Sequence, residues 1–226
     1  MTRMNPDARR QTIVDAAQAV ATRKGLSATT VRDVAEEMGT SSGLIHHYFA
    51  SMDQLLAVVF DEVAEADLSA TRERMDLAET PTGRLAEYFA AWADPDNDET
   101  FQFWLDAWSE AGRNDAVREK SRDLNIEWQR LLSEVIRSGI ESGDFNNVEV
   151  EATAWKALSL LDGLTLQVVA HPTVIERAKA VEWAASGIER DLGLSYGALS
   201  EAVIPAGVGR GTAVEGSHSS DGNQIA

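Results

Sequence analysis

Hydrophobic positions recur along this chain at the three- and four-residue spacing of helices packed by one face, and nowhere with the sustained period of two that marks strands. The first run opens at Asn5-Pro6, a cap followed by a proline, and carries Ile13, Ala16, Ala17, Val20 and Ala21 until Gly25 stops it. Thr30 with Asp33 has the spacing of a capping box, and Val31, Val34, Ala35 and Met38 then share a face up to Gly39. Thr40 or Ser41 can cap a third short helix with Leu44, Ile45 and Tyr48 available to the core. Ser51 with Gln54 opens a fourth, long helix through Leu55, Leu56, Val59 and Val63. Beyond Met75, turn signals at Thr80-Pro81, Asp94-Pro95-Asp96-Asn97, Gly112-Arg113-Asn114, Gly143-Asp144-Phe145-Asn146-Asn147 and His171-Pro172 divide the chain into helical segments near 81–93, 98–111, 115–142, 149–170 and 173–192. The pattern predicts an all-α fold of about nine helices. Residues 1–50 are expected to form a three-helix head and residues 51–194 a larger helical body. Residues 195–226, rich in Gly, Ser and Ala, have too little apolar content to offset the entropy of ordering and are expected to be disordered.

Charge changes the picture. The formal net charge is -17, yet from Met1 to Leu55 six basic residues (Arg3, Arg9, Arg10, Arg23, Lys24, Arg32) balance six acids (Asp7, Asp15, Asp33, Glu36, Glu37, Asp53). The whole excess lies downstream, so the head can approach a polyanion and the body cannot. The absence of cysteine excludes disulfides, thiolate metal sites and cysteine nucleophiles. No run approaches the ~20 apolar residues of a membrane span, and no apolar signal segment follows the N-terminus. The expectation is a soluble, cytoplasmic chain with no membrane partner, no cofactor and no metal, since His171 and His218 lie far from His46 and His47 without ligand-spaced neighbours.

A major groove about 12 Å wide admits one helix with small polar residues leading and an apolar back. Ser41, Ser42 and Gly43 followed by Leu44 and Ile45, with His46, His47 and Tyr48 free to point outward, have this form, and so does an ordinary three-helix packing unit. The order Thr30-Val-Arg-Asp-Val-Ala, Gly39, Ser41-Ser-Gly-Leu-Ile-His-His-Tyr-Phe and Ser51-Met-Asp-Gln-Leu-Leu resembles the N-terminal domain of the TetR family of transcriptional regulators over about the first fifty-five residues. That resemblance implies an all-α homodimer that binds double-stranded operator DNA through its head and a small-molecule effector through its body. It implies repression relieved when the effector changes the spacing of the two heads.

Position by position, it implies DNA contact by Thr30, Arg32, Thr40, Ser41, Ser42, Gly43, His46, His47 and Tyr48, with Gly43 allowing close approach and Tyr48 meeting a phosphate. A solvated arginine at Arg32 and helix packing at the histidine pair remain the plain alternatives. Two departures weaken the grip: Met52 and Ser42 stand where members of the family often carry basic residues. Phosphate contact would then rest on Arg3, Arg9, Arg10, Lys24 and Arg32, giving salt-sensitive binding of modest slope.

In the body, Phe89, Trp92, Phe101, Phe103, Trp104 and Trp108 fall within twenty positions, and Trp128 and Trp155 follow on later helices. Such a set fills a core, lines a ligand cavity, or divides between the two. The stretches WLDAWSEAGR from Trp104 and ALSLLDGLTLQVV from Ala157 resemble the C-terminal domain of the BetI-like branch, whose best-known member answers choline. Ligand-binding candidates are therefore Phe89, Trp92, Phe101, Trp104, Trp108, Trp128, Trp155 and Asp162. A cationic effector, a quaternary ammonium or polyamine, would be held by cation–π and charge contacts. Asp162 could equally face solvent or an interface. Leu158, Leu161, Leu164 and Val168 line one helical face and Val181, Ala185 and Ile188 another, and are expected to form a four-helix dimer interface with their symmetry mates. An enzyme is not expected, for there is no nucleophile motif, metal-spaced histidine set or phosphate-binding glycine loop. A ligand-binding module without DNA affinity is the remaining rival.

Overall fold

The computed structural model of the protein describes residues 5–94, 97–171 and 173–200. Among them lie nine α-helices and no strand: α1 (Pro6–Lys24), α2 (Val31–Glu37), α3 (Ser42–Tyr48), α4 (Met52–Asp76), α5 (Pro81–Ala93), α6 (Asp98–Ala111), α7 (Asp115–Ser142), α8 (Val150–Ala170) and α9 (Arg177–Leu192), with a 3₁₀ turn at Leu26–Ala28 after α1.

Side-chain caps set most of the helix starts. Asn5 accepts from the Asp7 N–H ahead of Pro6. The box at α2 is complete: Thr30 Oγ1 accepts from the Asp33 N–H at 3.2 Å, and Asp33 Oδ2 accepts from the Thr30 N–H at 3.0 Å. At α4 Ser51 Oγ accepts from the Gln54 N–H while Gln54 Oε1 accepts from the Ala50 N–H, Thr80 precedes Pro81 at α5, and Asn114 takes the Ala116 and Val117 N–H groups at α7. Gly143 and Gly193 close α7 and α9 in the left-handed conformation at φ 81° and 74°, where a side chain would be strained.

In the head, α1 packs on α2 and α4, and α2 on α3, around Ile13, Ala17, Leu26, Val34, Ile45 and Phe49. In the body, α7 lies against α4, α5, α6 and α8, and α9 covers α8 and α5. Two close approaches fix this packing. The Phe145 ring lies so near Gly139 that a Cβ there would fall about 2.1 Å from it, and Leu160 of α8 comes within 3.3 Å of the position a Cβ would take at Gly187 of α9. Head and body share α4 and one continuous apolar core.

Two expectations need correction. Residues 195–200 are not a loose extension: Glu189 of α9, buried, accepts from the N–H groups of Gly197 at 3.1 Å and Leu199 at 2.9 Å, and Leu199 is fully buried. The single leucine and an internal carboxylate offset an ordering cost that average composition overstated. The remainder of that expected tail, 201–226, lies outside the described residues. The expected dimer stripe is also displaced: Leu158, Leu161, Val181, Ala185 and Ile188 are buried within the single subunit, while Leu164 and Val168 are half-buried. The stripe serves the intramolecular packing of α8, α9 and α7, because periodicity marks a covered face without saying what covers it.

Candidate nucleic-acid interface and ligand cavity

α3 is held by one deeply buried anchor, Ile45, with Leu44 and Tyr48 half-buried, so the opposite side of this two-turn helix stays out of the core. Ser41, Gly43, His46 and His47 are exposed, and Thr40 and Ser42 half-buried. The Tyr48 ring meets the His47 ring edge-on at 5.2 Å, which orders both at the rim of the helix. Thr30 and Arg32 lie at the N-terminal end of the preceding helix, with the Arg32 side chain 84% exposed. All nine predicted DNA-facing positions thus sit on α2 and its N-cap Thr30, on α3, and on the turn between the two helices.

The cations of the head are largely engaged. Arg32 Nε donates to Glu36 at 2.8 Å, Arg23 pairs with Glu37 at 2.5 Å, and Lys24 Nζ donates to Asp33 at 2.5 Å. Hydrogen bonds from Lys24 and then Thr30 hold the Asp33 carboxyl down at about 2. Arg10 stacks over the Phe49 ring at 4.8 Å. Arg9 and Arg10 form no ion pair among the described residues, and Arg3 lies outside them. Phosphate contact by Arg32 or Lys24 would require exchange of an internal carboxylate, which reduces the electrostatic gain per contact.

The second site lies among α4 to α8. Trp92, Trp104, Trp108 and Trp128 surround a small cavity whose polar groups are Asp67, Asn125 and Asp162. It adjoins a second void that shares Asp67, Trp92, Trp104 and Trp128 and adds Phe101, Thr71, Thr100, Thr165 and Arg177. Their volumes, about 10 Å³ and 30 Å³, hold a water or two. The rings form a contact chain: Trp92 to Phe101 at 5.4 Å, Phe101 to Trp108 at 6.2 Å, Trp108 to Trp104 at 5.9 Å.

Asp67 Oδ2 accepts from the Trp104 indole N–H at 3.0 Å, tying α4 to α6, and burial raises its carboxyl pKa. Burial pushes the Asp162 carboxyl up to about 7. The Tyr88 hydroxyl is buried without a hydrogen-bond partner; burial and then the Asp162 charge raise its pKa well above 10.0. Arg177 is committed elsewhere, donating to Asp98 and to the Trp92 carbonyl.

Of the eight expected ligand residues, Trp92, Phe101, Trp104, Trp108, Trp128 and Asp162 converge on the voids. Phe89 does not line them; it is fully buried beside Tyr88 in the core. Trp155 lies toward the N-terminal end of α8, outside the voids and 42% exposed. Asp67 and Tyr88 were missed. Asp67 falls four residues after Val63 and four before Thr71 on the buried stripe of α4, and a carboxylate at such a position was the available signal.

A helix-turn-helix head joined through a shared long helix to a body with a carboxylate-bearing aromatic cavity defines a DNA-binding transcriptional regulator that answers a small molecule. The chain matches the family model described as bacterial regulatory proteins, tetR family, over residues 13–59, and that of the BetI-type transcriptional repressor C-terminal domain over residues 81–193. It belongs to the TetR family, with a body of the BetI type. It is 32% identical to the HTH-type transcriptional regulator BetI of Rhizobium meliloti, over 70% of this chain and 77% of that one. It is 29% identical to the uncharacterized regulator YfiR of Bacillus subtilis, over 73% and 82%. A TetR-family regulator from Cytophaga hutchinsonii shares the fold with a TM-score of 0.75 at 22% identity, covering 86% of this chain and all of that one. A regulator from Saccharomonospora viridis, solved in complex with choline, has a TM-score of 0.72 at 22% identity, covering 81% and 96%. These are transcriptional regulators, and the enzyme alternative falls away. No helix among the described residues is long and apolar enough to cross a membrane.

Proposed function

We propose that the protein is a cytoplasmic homodimeric repressor that reads operator DNA through α2 and α3 and leaves it when a cationic small molecule enters the cavity among α4 to α8. The observation that carries the effector class is the pairing of four indoles with two half-buried carboxylates, Asp67 and Asp162, that have no ion-pair partner among the described residues. Aromatic faces and desolvated carboxylates both favour a cation. The choline bound to the Saccharomonospora viridis protein, of the same fold, agrees with this reading.

Base and phosphate contact is assigned to Thr30, Arg32, Thr40, Ser41, Ser42, Gly43, His46, His47 and Tyr48. The second copy docks on the outward side of α8 and α9, where Trp155, Leu166 and Trp183 are 42%, 39% and 48% exposed.

The test is a titration of the protein with its own upstream DNA at two salt concentrations, repeated with Arg32→Ala and Tyr48→Phe. Saturable binding weakened by salt and by either substitution is expected. Absence of specific binding to that DNA, and to any sequence selected from random DNA, would leave a ligand-binding module without a reader.

A further inference from the structure

We propose that the effector is a protonated diamine or polyamine, bound through two N–H-bearing cationic centres, one at Asp67 and one at Asp162. This rests on the reading of the cavity as the effector site and goes on to specify charge number and donor chemistry.

The charge count comes first. Asp67 and Asp162 line the same void, on α4 and α8, and neither has a basic partner among the described residues. Arg177, the one cation at the edge of the adjoining void, is held by Asp98 and the Trp92 carbonyl. Buried carboxylates are tolerated when neutral or when paired. A single cation leaves one of them to keep a proton or carry an unpaired charge, whereas two cationic centres neutralise both. Burial alone raises both carboxyl groups, as a desolvated anion awaiting a counterion requires.

The donor chemistry follows from what the walls offer. Asp67 uses one oxygen for the Trp104 indole. Asp162 has no hydrogen bond among the described residues, and Asn125 uses one N–H of its amide on the Ser121 carbonyl at 2.8 Å, with its amide oxygen free to accept. The Tyr88 ring packs against Trp92 at 6.4 Å and Trp128 at 6.2 Å, both walls of the void, without lining the void itself. The free oxygens of Asp67, Asp162 and Asn125 are acceptors awaiting donors. A quaternary ammonium carries no N–H and would leave them unsatisfied; a primary or secondary ammonium supplies two or three donors at each end. The indoles that line the same void suit the methylene spacer and the cation flanks alike.

The probes are diaminoalkanes from putrescine upward, each against the monoamine of the same length, with tetramethylammonium and choline as quaternary monocations. Binding is read by tryptophan fluorescence and calorimetry on the full chain. The best diamine should bind at least tenfold more tightly than its monoamine, and than either quaternary ion. Asp67→Asn and Asp162→Asn should each reduce diamine affinity about tenfold or more, with the double variant reduced to surface binding. The ligand series on the unaltered protein decides even if a variant misfolds. A monoamine or quaternary ion that matches the best diamine overturns the proposal while leaving a cationic effector in place. Absence of binding by every cation overturns the cationic reading itself. Diamine binding insensitive to both substitutions would mean attraction to the acidic surface only, and overturns the assignment to this cavity.

Discussion

Replacing Asp162 by asparagine keeps the shape of the side chain and removes its titration. Burial pushes the Asp162 carboxyl from 3.8 to about 7 in the folded protein, and unfolding returns it to its ordinary value. Between about pH 4 and pH 7 the folded chain therefore holds a proton that the unfolded chain has released, and stability falls as pH rises through that window. This is the reverse of a salt-bridged aspartate, whose stabilisation is lost as pH falls. A rise of about three units corresponds to about 4 kcal/mol once both states are ionised, of which about 2 kcal/mol appears between pH 5 and pH 7. Urea unfolding of both proteins, at one protein concentration and without amines, measures the difference at each pH. Asp162→Asn should gain on the wild type by about 2 kcal/mol from pH 5 to pH 7, while other titrating groups cancel in the comparison. A difference that stays constant across this range would show that the carboxylate is already ionised against water or a partner, and the buried-anion account of the cavity would fail.

Three further outcomes follow from the packing. Gly139→Ala places a methyl group in the Phe145 ring, and thermal unfolding should show a loss of about 1–3 kcal/mol; an unchanged melting temperature would mean that Phe145 is free to move aside. Thr30→Ala removes half of the capping box and should cost about 1 kcal/mol, with hydrogen exchange speeding up in α2 before the body. Glu189→Ala removes two charge-assisted hydrogen bonds from the Ser195–Ser200 turn, worth about 2 kcal/mol or more, and should open Tyr196 to chymotrypsin; a cleavage rate equal to wild type would show that Leu199 alone holds the turn.

The head was legible because its signals are local. Thr30 with Asp33, Ser51 with Gln54, and Gly25 and Gly39 act within a few residues, and the chain obeys them. The body was legible as helices and less so as surfaces. An apolar stripe shows that a face is covered, and Leu161, Ala185 and Ile188 are covered by their own subunit, leaving Trp155 and Trp183 outward. The deeper signals were carboxylates on apolar stripes. Asp67, in line with Val63 and Thr71, and Glu189, one position after Ile188, each break a hydrophobic face, and each does so because a specific buried partner or void awaits it. Average composition dilutes such single positions, which is why it hides both the ordered turn at 195–200 and the carboxylate at Asp67.

Two helices that line the cavity, α6 and α4, also touch the head. Phe101, Trp104 and Trp108 project from α6 into the voids, while Gln102 and Asp106 lie on another face of the same helix and are bonded to one another at 3.2 Å. Asp106 Oδ2 sits 2.9 Å from where a Cβ would stand on Gly25, the residue that ends α1, and α6 packs against the 3₁₀ turn that follows. The voids admit only a water or two, so any larger molecule would have to displace the walls to enter. Trp104 is bound to Asp67 of α4, so displacement of α6 strains α4 as well. Both helices press on the head, α6 at Gly25 and α4 through Leu55, Leu56 and Val59. Close-packed helices move as rigid bodies rather than absorbing the shift locally. On the proposed reading of the cavity as the effector site, a ligand that opens it would shift α6 and α4 against α1 and, through α2, would move α3.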